Sequence, residues 1–377
     1  MGRVSAELLP FGRERLRTYA LVESPSGNVA ALGTLGEEIA DGHEAAGGRP
    51  ARVPGPTGDH LVTAWEGAAG SAGHVLLLGH SDTVWPVGQL SAMPYTDDGK
   101  LIAGPGVYDM KGGLVVLEMA MRILAALGLR AARPVRAVVV ADEEVGSPHG
   151  GEVVERNLDG ASAVLGLEGP HRDGGLKTAR RGSTRLRLTV EGREAHAAVD
   201  PGRGISAIDE LLDQLVDARQ VIPDDGSTLF NVGRIGGGTR SNVVAGEAWA
   251  EIGLRFTTAD AERTVLSALT GARPRRTGAR LAAEVLSRRP TWTPREDNPL
   301  LDTVVRVSEA LGQRLTGRPA PGAGDTNLPG SRGLPTLDGF GPQGRGAHAA
   351  DEAIVVRSLA ERAALLAGVL ATGPPVP

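Results

Sequence analysis

The chain contains no cysteine. This absence excludes disulfide bonds, thiolate nucleophiles and the cysteine-based sites of zinc fingers. A metal ion, if the protein binds one, must then be held by histidine, aspartate or glutamate side chains. At 377 residues the chain is nevertheless long enough to form two domains, each with its own hydrophobic core.

The sequence also lacks a strong charge imbalance and a long hydrophobic run. Its net charge of -5 is too small to indicate a nucleic-acid or membrane-surface partner. The most apolar helical stretch, LVVLEMAMRILAAL, is interrupted by Glu118 and Arg122 and is too short to span a bilayer. The first residues, MGRVSAELLPFGRERL, lack the apolar core of a secretory signal. These absences predict a globular cytoplasmic protein that binds neither nucleic acid nor membrane.

Continuous apolar runs predict the first domain. HVLLLG (74–79) and PVRAVVVA (134–141) read as short strands, and apolar residues between them recur at helical spacing from Leu114 to Leu124. A further strand-like run, SAVLGLE (162–168), follows. Because strands without polar alternation are typical of sheets buried on both faces, we expect an α/β domain with a mostly parallel sheet covered by helices.

From about residue 181 the pattern changes to alternating apolar and polar residues, beginning with TRLRLTVEG. Helical and strand-like runs then alternate in the order βαββαβ, which is typical of a ferredoxin-like α+β fold. Helical patterns at 299–312 and 356–371 resume the α/β character. We therefore predict one domain formed by residues 1–180 and 290–377, with residues 181–289 inserted as a second domain.

Polar residues follow the predicted strands at the edge where parallel sheets bind their ligands. The set comprises His80, Asp82, Asp109, Glu143, Glu144, Glu168 and His348. Taken singly, a histidine or acid at a strand end is more often a solvated surface group than a ligand. One dinuclear metal site explains all of them together, and imidazole with carboxylate is a donor set that zinc accepts.

Seven motifs carry a family resemblance. They are, in chain order, GHSDTV, GPGVYDMKGG, ADEEVGS, LEG, GREAHAAVDPGRG, TRSNVVAG and GAHAADE. In this order they resemble the carboxypeptidase G and aminoacylase family of dinuclear zinc hydrolases, over nearly the whole chain. The resemblance implies that residues 1–180 and 290–377 form the catalytic metallohydrolase domain. It also implies that residues 181–289 form a lid and dimerisation domain.

The resemblance implies two Zn²⁺ ions per subunit, with Co²⁺ or Mn²⁺ as possible substitutes. His80, Asp109 and Glu168 would hold one ion, whereas Glu144, His348 and the same Asp109 would hold the other. Asp109 would thus bridge the pair. The family likeness also implies a cis peptide bond between Asp109 and Met110.

Two further acids have implied roles at this centre. Glu143 would not bind a metal ion. It would instead accept a proton from the attacking water and deliver it to the leaving amine. Asp82 would form a hydrogen bond with His80, fixing its tautomer and raising its basicity.

Residues of the insert are implied in catalysis and substrate binding. In the family, the histidine that matches His196 serves the active site of the neighbouring subunit, where it stabilises an oxyanion. This implies a homodimer formed through the insert. Asn242 and Arg255 match positions that contact the carboxylate end of a substrate, although each could equally be a structural residue. Weaker candidates for a carboxylate pocket are Lys177, Arg288 and Arg289.

The implied activity is hydrolysis of an amide bond beside a free carboxylate, in a small peptide or an N-acyl amino acid. A glutamate-carboxypeptidase-like exopeptidase is favoured over an N-acyl amino acid deacylase or dipeptidase using the same site. Thr326 stands where many relatives have another small residue, often glycine, near the substrate pocket. Which substrate side chain the pocket accepts therefore stays open. A serine hydrolase using Ser81 is disfavoured because GHSDT lacks the closing glycine of GxSxG. A non-catalytic metal-binding scaffold also stays open, since fold does not determine function.

Overall fold

The computed structural model describes residues 1–68 and 73–373, which form two units. The first unit contains Met1–Ala179, Pro294–Ala320 and the residues from Gly324 onward. The second contains Arg180–Thr293 and Pro321–Ala323. The insert predicted at 181–289 falls within the second unit. Residues 69–72 and 374–377, which belong to the predicted flanking segments, lie outside the described residues.

The described residues contain sixteen strands: β1 (Arg49–Val53), β2 (His60–Trp65), β3 (His74–His80), β4 (Thr96–Asp97), β5 (Leu101–Ala103), β6 (Val135–Val140), β7 (Ala161–Gly166), β8 (Leu176–Arg180), β9 (Gly182–Glu191), β10 (Thr228–Gly237), β11 (Glu247–Phe256), β12 (Arg280–Arg289), β13 (Gly317–Ala320), β14 (Thr336–Asp338), β15 (Gly344–Arg345) and β16 (Ala353–Val355). Eight form the main sheet of the first unit, in the order β1-β2-β6-β3-β7-β14-β8-β13. Its centre, β6-β3-β7-β14, is parallel, whereas β1, β2 and β8 pair antiparallel with their neighbours.

The α-helices of the described residues are α1 (Gly2–Glu7), α2 (Leu9–Leu21), α3 (Val29–Ala45), α4 (Gln89–Ala92), α5 (Gly112–Ala126), α6 (Gly150–Arg156), α7 (Ala207–Gln220), α8 (Ala259–Thr270), α9 (Pro299–Ala310), α10 (Asn327–Ser331) and α11 (Val356–Thr372). Within this part of the chain, none of the helices is both long and apolar enough to cross a membrane.

The central strands are mostly apolar because helices cover both faces of the main sheet. Leu77 of β3 packs into the core that α5 and α11 share, whereas Leu76 and Leu78 pack into a second core with Val153 and Val154 of α6. All three leucines are at most 2% exposed. The first unit is therefore the mixed, mostly parallel α/β domain that the sequence predicts.

The second unit has the predicted element order βαββαβ, given by β9, α7, β10, β11, α8 and β12. Its antiparallel sheet has the order β10-β11-β9-β12, which is the strand arrangement of a ferredoxin-like fold. Leu186 and Leu188 of β9 pack with Leu211 of α7 and Val265 of α8 in its core. The alternating sequence of β9 follows from burial of only one face of the sheet.

A small antiparallel sheet, in the order β15-β16-β5-β4, lies beside the main sheet in the first unit. Ala353 of β16 pairs with Ala103 of β5. These two strands directly adjoin the segments that carry His348 and Asp109. Two motifs far apart in sequence are thereby held side by side.

A buried acid links three helices of the first unit. Glu118 of α5 is fully buried and accepts hydrogen bonds from Arg15 (3.0 Å), Arg122 (3.1 Å) and the Tyr19 hydroxyl (3.2 Å). Arg15 also binds Glu38 of α3 at 3.1 Å. Since a buried charge is stable only when it is paired, α2, α3 and α5 depend on this network.

We expect Glu118→Ala to lower the free energy of unfolding by about 3–5 kcal/mol, because Arg15 and Arg122 would lose their buried partner. Urea denaturation followed by circular dichroism measures the effect. Glu37→Ala is the matched control: Glu37 is 68% exposed, and its pair with Arg52 should contribute less than about 1 kcal/mol. A loss below about 1 kcal/mol for Glu118→Ala would show that the network does not hold the helices.

Candidate metal centre

The strand ends of the main sheet position most of the predicted ligands. His80 is the last residue of β3, Glu143 and Glu144 follow β6, and Glu168 lies two residues beyond β7. Since β6, β3 and β7 are adjacent and parallel, their carboxyl ends meet at one edge of the sheet. The side chains therefore converge although they are far apart in the sequence.

Asp109 reaches this edge from the loop before α5. The loop turns at Gly106, which has φ +73°, and a Cβ at this position would lie 2.7 Å from the Thr83 side chain. Glycine is therefore required both for the backbone conformation and for the close approach. The Asp109–Met110 peptide bond is cis, which confirms the prediction from the family resemblance.

The Asp109 carboxylate lies between two imidazoles. His80 Nε2 is 3.3 Å from Oδ1 of Asp109, and His348 Nε2 is 3.3 Å from Oδ2. His80 Nε2 is also 3.6 Å from Glu168 Oε1, and His348 Nε2 is 3.1 Å from Glu144 Oε2. Each histidine thus faces Asp109 together with one glutamate, and Asp109 is common to both groups.

The donor set fits a pair of divalent cations. Ligand atoms of His80, Asp109 and Glu144 all lie within 4.8 Å of one another. Glu144 Oε1 is buried and has no hydrogen-bond partner within the described part of the chain. Because a buried carboxylate oxygen without a partner is costly, a cation at this edge would remove the penalty. Nitrogen and oxygen donors suit zinc, and they also suit cobalt or manganese.

Without a metal ion, the positive charge of the protonated histidines compensates the negative charge of the acids. Hydrogen bonds to Asp109 and Glu144 raise the pKa of His348 from 6.5 to about 10. Burial opposes protonation of His80, but Asp109, Asp82 and Glu168 raise its pKa well above the usual value. Burial likewise works against ionisation of Asp109, yet the two imidazoles lower its pKa. Both rings therefore carry protons that an incoming metal ion must displace.

Asp82 contacts His80 through both its backbone and its side chain. The atom nearest to His80 Nδ1 is the backbone oxygen of Asp82, at 2.9 Å, whereas the carboxylate is 3.4 Å away. The carboxylate accepts the backbone N–H groups of Glu143 (3.0 Å) and Glu144 (3.1 Å). It also accepts the Ser26 hydroxyl at 2.6 Å. Asp82 therefore orients the turn that carries the proposed base and one ligand, as well as the His80 ring.

Glu143 and Thr326 line the same small pocket as His80 and Glu168. Thr326 is buried, and its hydroxyl donates a hydrogen bond of 2.7 Å to the buried Asp338 carboxylate. The hydroxyl of Thr326 is therefore engaged in the wall of the pocket.

His196 and Asn242 lie together in the second unit. The Ala197 N–H donates a hydrogen bond to the Asn242 carbonyl at 2.9 Å, and both side chains belong to exposed residues. His196 Nδ1 accepts the N–H groups of Ala198 and Val199, each at 3.2 Å. A neutral ring that accepts at Nδ1 carries its proton on Nε2, so His196 is prepared to donate a hydrogen bond there.

Arg255 lies far from His196 and Asn242 within the same unit. It occupies the end of β11 opposite Ser183, whereas Asn242 precedes the other end of this strand at Glu247. At about 3.3 Å per residue, these ends are separated by about 26 Å. The structure therefore does not bring the two predicted substrate-binding residues together within one chain. Of the weaker candidates, Arg288 is paired with Glu262 at 2.7 Å.

Glu352 was missed by sequence reasoning, although it closes the motif GAHAADE. It is fully buried and accepts hydrogen bonds from the loop that carries Asp109. The sequence offers one signal, namely an acid at fixed distance after His348. That signal cannot be distinguished from an ordinary surface acid without the fold.

Comparison with known proteins gives a family match over most of the chain. Residues 76–372 match the model of "Peptidase family M20/M25/M40". Carboxypeptidase G2 from Pseudomonas sp. (strain RS-16) is 26% identical over 200 residues, covering 53% of this chain. The match spans 48% of that protein, or about half its length. Succinyl-diaminopimelate desuccinylase from Bradyrhizobium diazoefficiens is 26% identical over 389 residues, covering 93% of this chain and 96% of that protein.

A solved structure supports the fold. The crystal structure of the Bacillus subtilis YXEP protein, described as a dinuclear metal-binding peptidase from the M20 family, matches with a TM-score of 0.67. The match covers 99% of both chains at 16% identity. At this identity the likeness shows a shared architecture.

We expect the metal-free protein to release about two protons when it takes up two divalent ions at pH 7.5. The reason is that the raised pKa values keep His80 and His348 protonated until a metal ion binds. For the same reason, metal affinity should rise as pH increases from 6.5 toward about 10. Isothermal titration calorimetry in two buffers of different ionisation enthalpy measures the number of protons. His348→Asn should release about one proton fewer, and His196→Asn should leave the number unchanged. Binding heats that do not depend on the buffer would contradict this account.

Proposed function

The chain belongs to Peptidase family M20/M25/M40, whose members are metal-dependent peptidases and amidohydrolases, and from this premise we propose that it hydrolyses an amide bond beside a free carboxylate. One observation carries the proposal. Asp109 presents one carboxylate oxygen to His80 and the other to His348, each at 3.3 Å, at a single edge of the sheet. An acid shared by two such groups is the arrangement that a dinuclear centre needs.

In this proposal, His80, Asp109 and Glu168 hold one Zn²⁺ ion, and Asp109, Glu144 and His348 hold the other. When bound, such ions lower the pKa of the attacking water and polarise the scissile carbonyl. Asp82 keeps His80 and the turn of Glu143 and Glu144 in place through the hydrogen bonds described above.

Glu143 is the proposed general base. Its backbone is fixed by Asp82, its side chain lines the pocket beside His80 and Glu168, and it is not needed as a ligand. It accepts a proton from the attacking water and returns it to the amine as the C–N bond breaks. The two steps balance, since one water is consumed and the products are an acid and an amine.

The second unit supplies the proposed contacts to substrate. His196, with its proton on Nε2, donates a hydrogen bond to the oxyanion that forms as water attacks the carbonyl. Arg255 binds the free carboxylate of the substrate, for which a guanidinium is well shaped. Burial and the nearby Arg289 guanidinium lower the pKa of Arg255, so an anion would relieve an unfavourable pair of like charges. Asn242 adds a neutral polar contact.

The substrate class follows from these contacts. A small peptide or N-acyl amino acid offers both the amide and the carboxylate, and we favour a peptide that ends in glutamate. The relatives, a carboxypeptidase and a desuccinylase, support amide cleavage as the reaction of this chain, although their names indicate different substrates. An N-acyl amino acid deacylase or a dipeptidase acting through the same residues is the alternative within this class.

We expect Glu143→Gln to lower kcat by about 10²–10⁴-fold while both metal ions remain bound, because the amide cannot accept the proton. Amino acid release is measured on N-acyl amino acids and dipeptides, including glutamate-terminated ones, with zinc- or cobalt-loaded protein. Ser81→Ala is the matched control and should keep most of the activity.

Loss of activity in Ser81→Ala, together with full activity in Glu143→Gln, would favour a serine hydrolase instead. If two metal ions bind and nothing in the panel is cleaved, the non-catalytic scaffold gains support.

We further propose that the second unit forms a homodimer. Helix α7 buries Leu211 and Leu215 against its own sheet but exposes Ile208 (37%), Leu212 (50%) and Val216 (55%) at intervals of four residues. The edge strand β10 exposes Leu229 and Ile235 as well. Because an apolar helix stripe beside an open strand edge is a liability in water, a second copy of this chain is the proposed cover.

A dimer would also explain why Arg255 lies far from His196 and Asn242 in the second unit. In the proposal, His196 of one subunit serves the centre of the other, as the family resemblance implies, and Asn242 accompanies it because the two residues lie together. Arg255, at the opposite end of β11, need not then share a substrate with them in the same chain.

We expect light scattering to give twice the chain mass of 38.9 kDa for the wild type and the monomer mass for Leu212→Glu/Val216→Glu. In the proposed dimer this stripe is buried, so the two introduced charges would lie in the interface without partners. Leu129→Glu, at a leucine of the first unit that is 44% exposed, should remain dimeric. Mixing His196→Ala with Glu143→Ala subunits should restore part of the activity. A monomeric, fully active wild type would refute the shared site.

A further inference from the structure

Glu352 binds the loop that presents Asp109 through both carboxylate oxygens. Oε1 accepts the backbone N–H groups of Tyr108 (2.9 Å) and Asp109 (3.0 Å). Oε2 accepts the backbone N–H of Gly106 (3.0 Å) and the indole N–H of Trp85 (2.7 Å). Four donors therefore converge on one side chain, three of them from the four residues that end at Asp109.

This carboxylate lies in the interior of the first unit, where the buried Lys111 ammonium also interacts with it. Glu352 is fully buried, and burial raises its pKa although the four hydrogen bonds oppose the shift. Burying an acid costs free energy unless its oxygens are satisfied. The three backbone donors supply that compensation only when the loop takes this conformation, so the loop and the acid fix each other.

The same residue is joined to the loop of His348. Glu352 lies four residues after His348, which has φ +60°, and its N–H donates to the Ala349 carbonyl at 3.0 Å. The Glu352 carbonyl accepts the N–H of Gly104 at 3.3 Å. Directly beyond these residues, Ala353 pairs with Ala103 in the small sheet. Glu352 is therefore the point at which the segments of Asp109 and His348 are attached to each other.

We propose that Glu352 is a positioning residue for both metal ions, because it sets the distance between the shared ligand Asp109 and the second imidazole, His348. This inference rests on the dinuclear centre proposed above. In this proposal Glu352 itself binds no metal, because its two oxygens already accept four N–H donors. Its effect reaches the ions through the backbone of the loop.

Glutamate and glutamine differ at this position in the number of acceptor oxygens that they offer to the loop. In Glu352→Gln, an NH₂ group would replace one oxygen and would face two N–H donors that it cannot accept. Two hydrogen bonds would be lost and the donors would repel each other. The Asp109 loop would then change its conformation. Because Asp109 is the common ligand, the coordination geometry of both ions would be distorted.

The experiment measures Co²⁺ binding by the full chain in competition with a chelator, together with the visible absorption of the bound ions. We expect Glu352→Gln to bind both ions about 10–100-fold more weakly, the range usual for groups that orient metal ligands. Its absorption spectrum should change, and excess Co²⁺ should restore part of its activity. Asp351→Asn is the matched control, because this neighbouring acid is 65% exposed and pairs only with the exposed Arg345 at 3.1 Å among described residues.

Trp85→Phe provides a second variant that keeps the acid and removes a single donor. It should weaken Co²⁺ binding in the same direction but by only a few-fold, because three of the four hydrogen bonds remain. This variant decides the question if Glu352→Gln does not fold.

The possible outcomes separate this inference from the proposed function. If Glu352→Gln folds and binds two ions with the affinity and spectrum of the wild type, Glu352 does not position the centre, while the dinuclear centre itself stands. If Trp85→Phe and Asp351→Asn are affected equally, the effect is not specific to the Glu352 bonds and the inference fails. If the wild type binds fewer than two ions, the proposed dinuclear centre fails, and the inference fails with it.

Discussion

Negative charge concentrated at one edge of the sheet is the constraint on which the rest of the first unit depends. Asp82, Asp109, Glu143, Glu144 and Glu168 gather there around the two imidazoles of His80 and His348. Like charges at such distances repel strongly, so the arrangement needs a scaffold that does not yield and cations that compensate the acids. The buried strands provide the scaffold, and the histidines or bound metal ions provide the compensating positive charge.

The scaffold meets this constraint by fixing backbones before side chains. β3, β6 and β7 are apolar on both faces, which leaves their ends little freedom to move. Beyond the strand ends, two buried acids hold the loops: Asp82 binds the N–H groups of Glu143 and Glu144, and Glu352 binds those of Tyr108 and Asp109. The ligands are thus mounted on peptide groups that are themselves bound.

The fold class could be predicted from the sequence because continuous and alternating apolar patterns directly report which faces are buried, whereas the family resemblance depended on seven motifs in order. The candidate ligands could be named because they stand in the motifs that carry the family resemblance. Other features depend on contacts between distant segments, which no local pattern records. The Asp82 carboxylate binds the backbone N–H groups of Glu143 and Glu144 beyond a neighbouring strand, and Glu352 looks like a surface acid until β16 pairs with β5. Helices α1–α3 and the small sheet were likewise not predicted.

The position of β14 has a consequence for synthesis on the ribosome. This strand, Thr336–Asp338, lies between β7 and β8 in the sheet, although the chain makes it after the whole of the second unit. The nearly continuous second unit can therefore fold while the first is still incomplete. One edge of β7 must therefore stay without its partner β14 until residues 336–338 emerge, and His348 arrives later still. Metal uptake by the complete ligand set must therefore wait until the whole second unit has been translated.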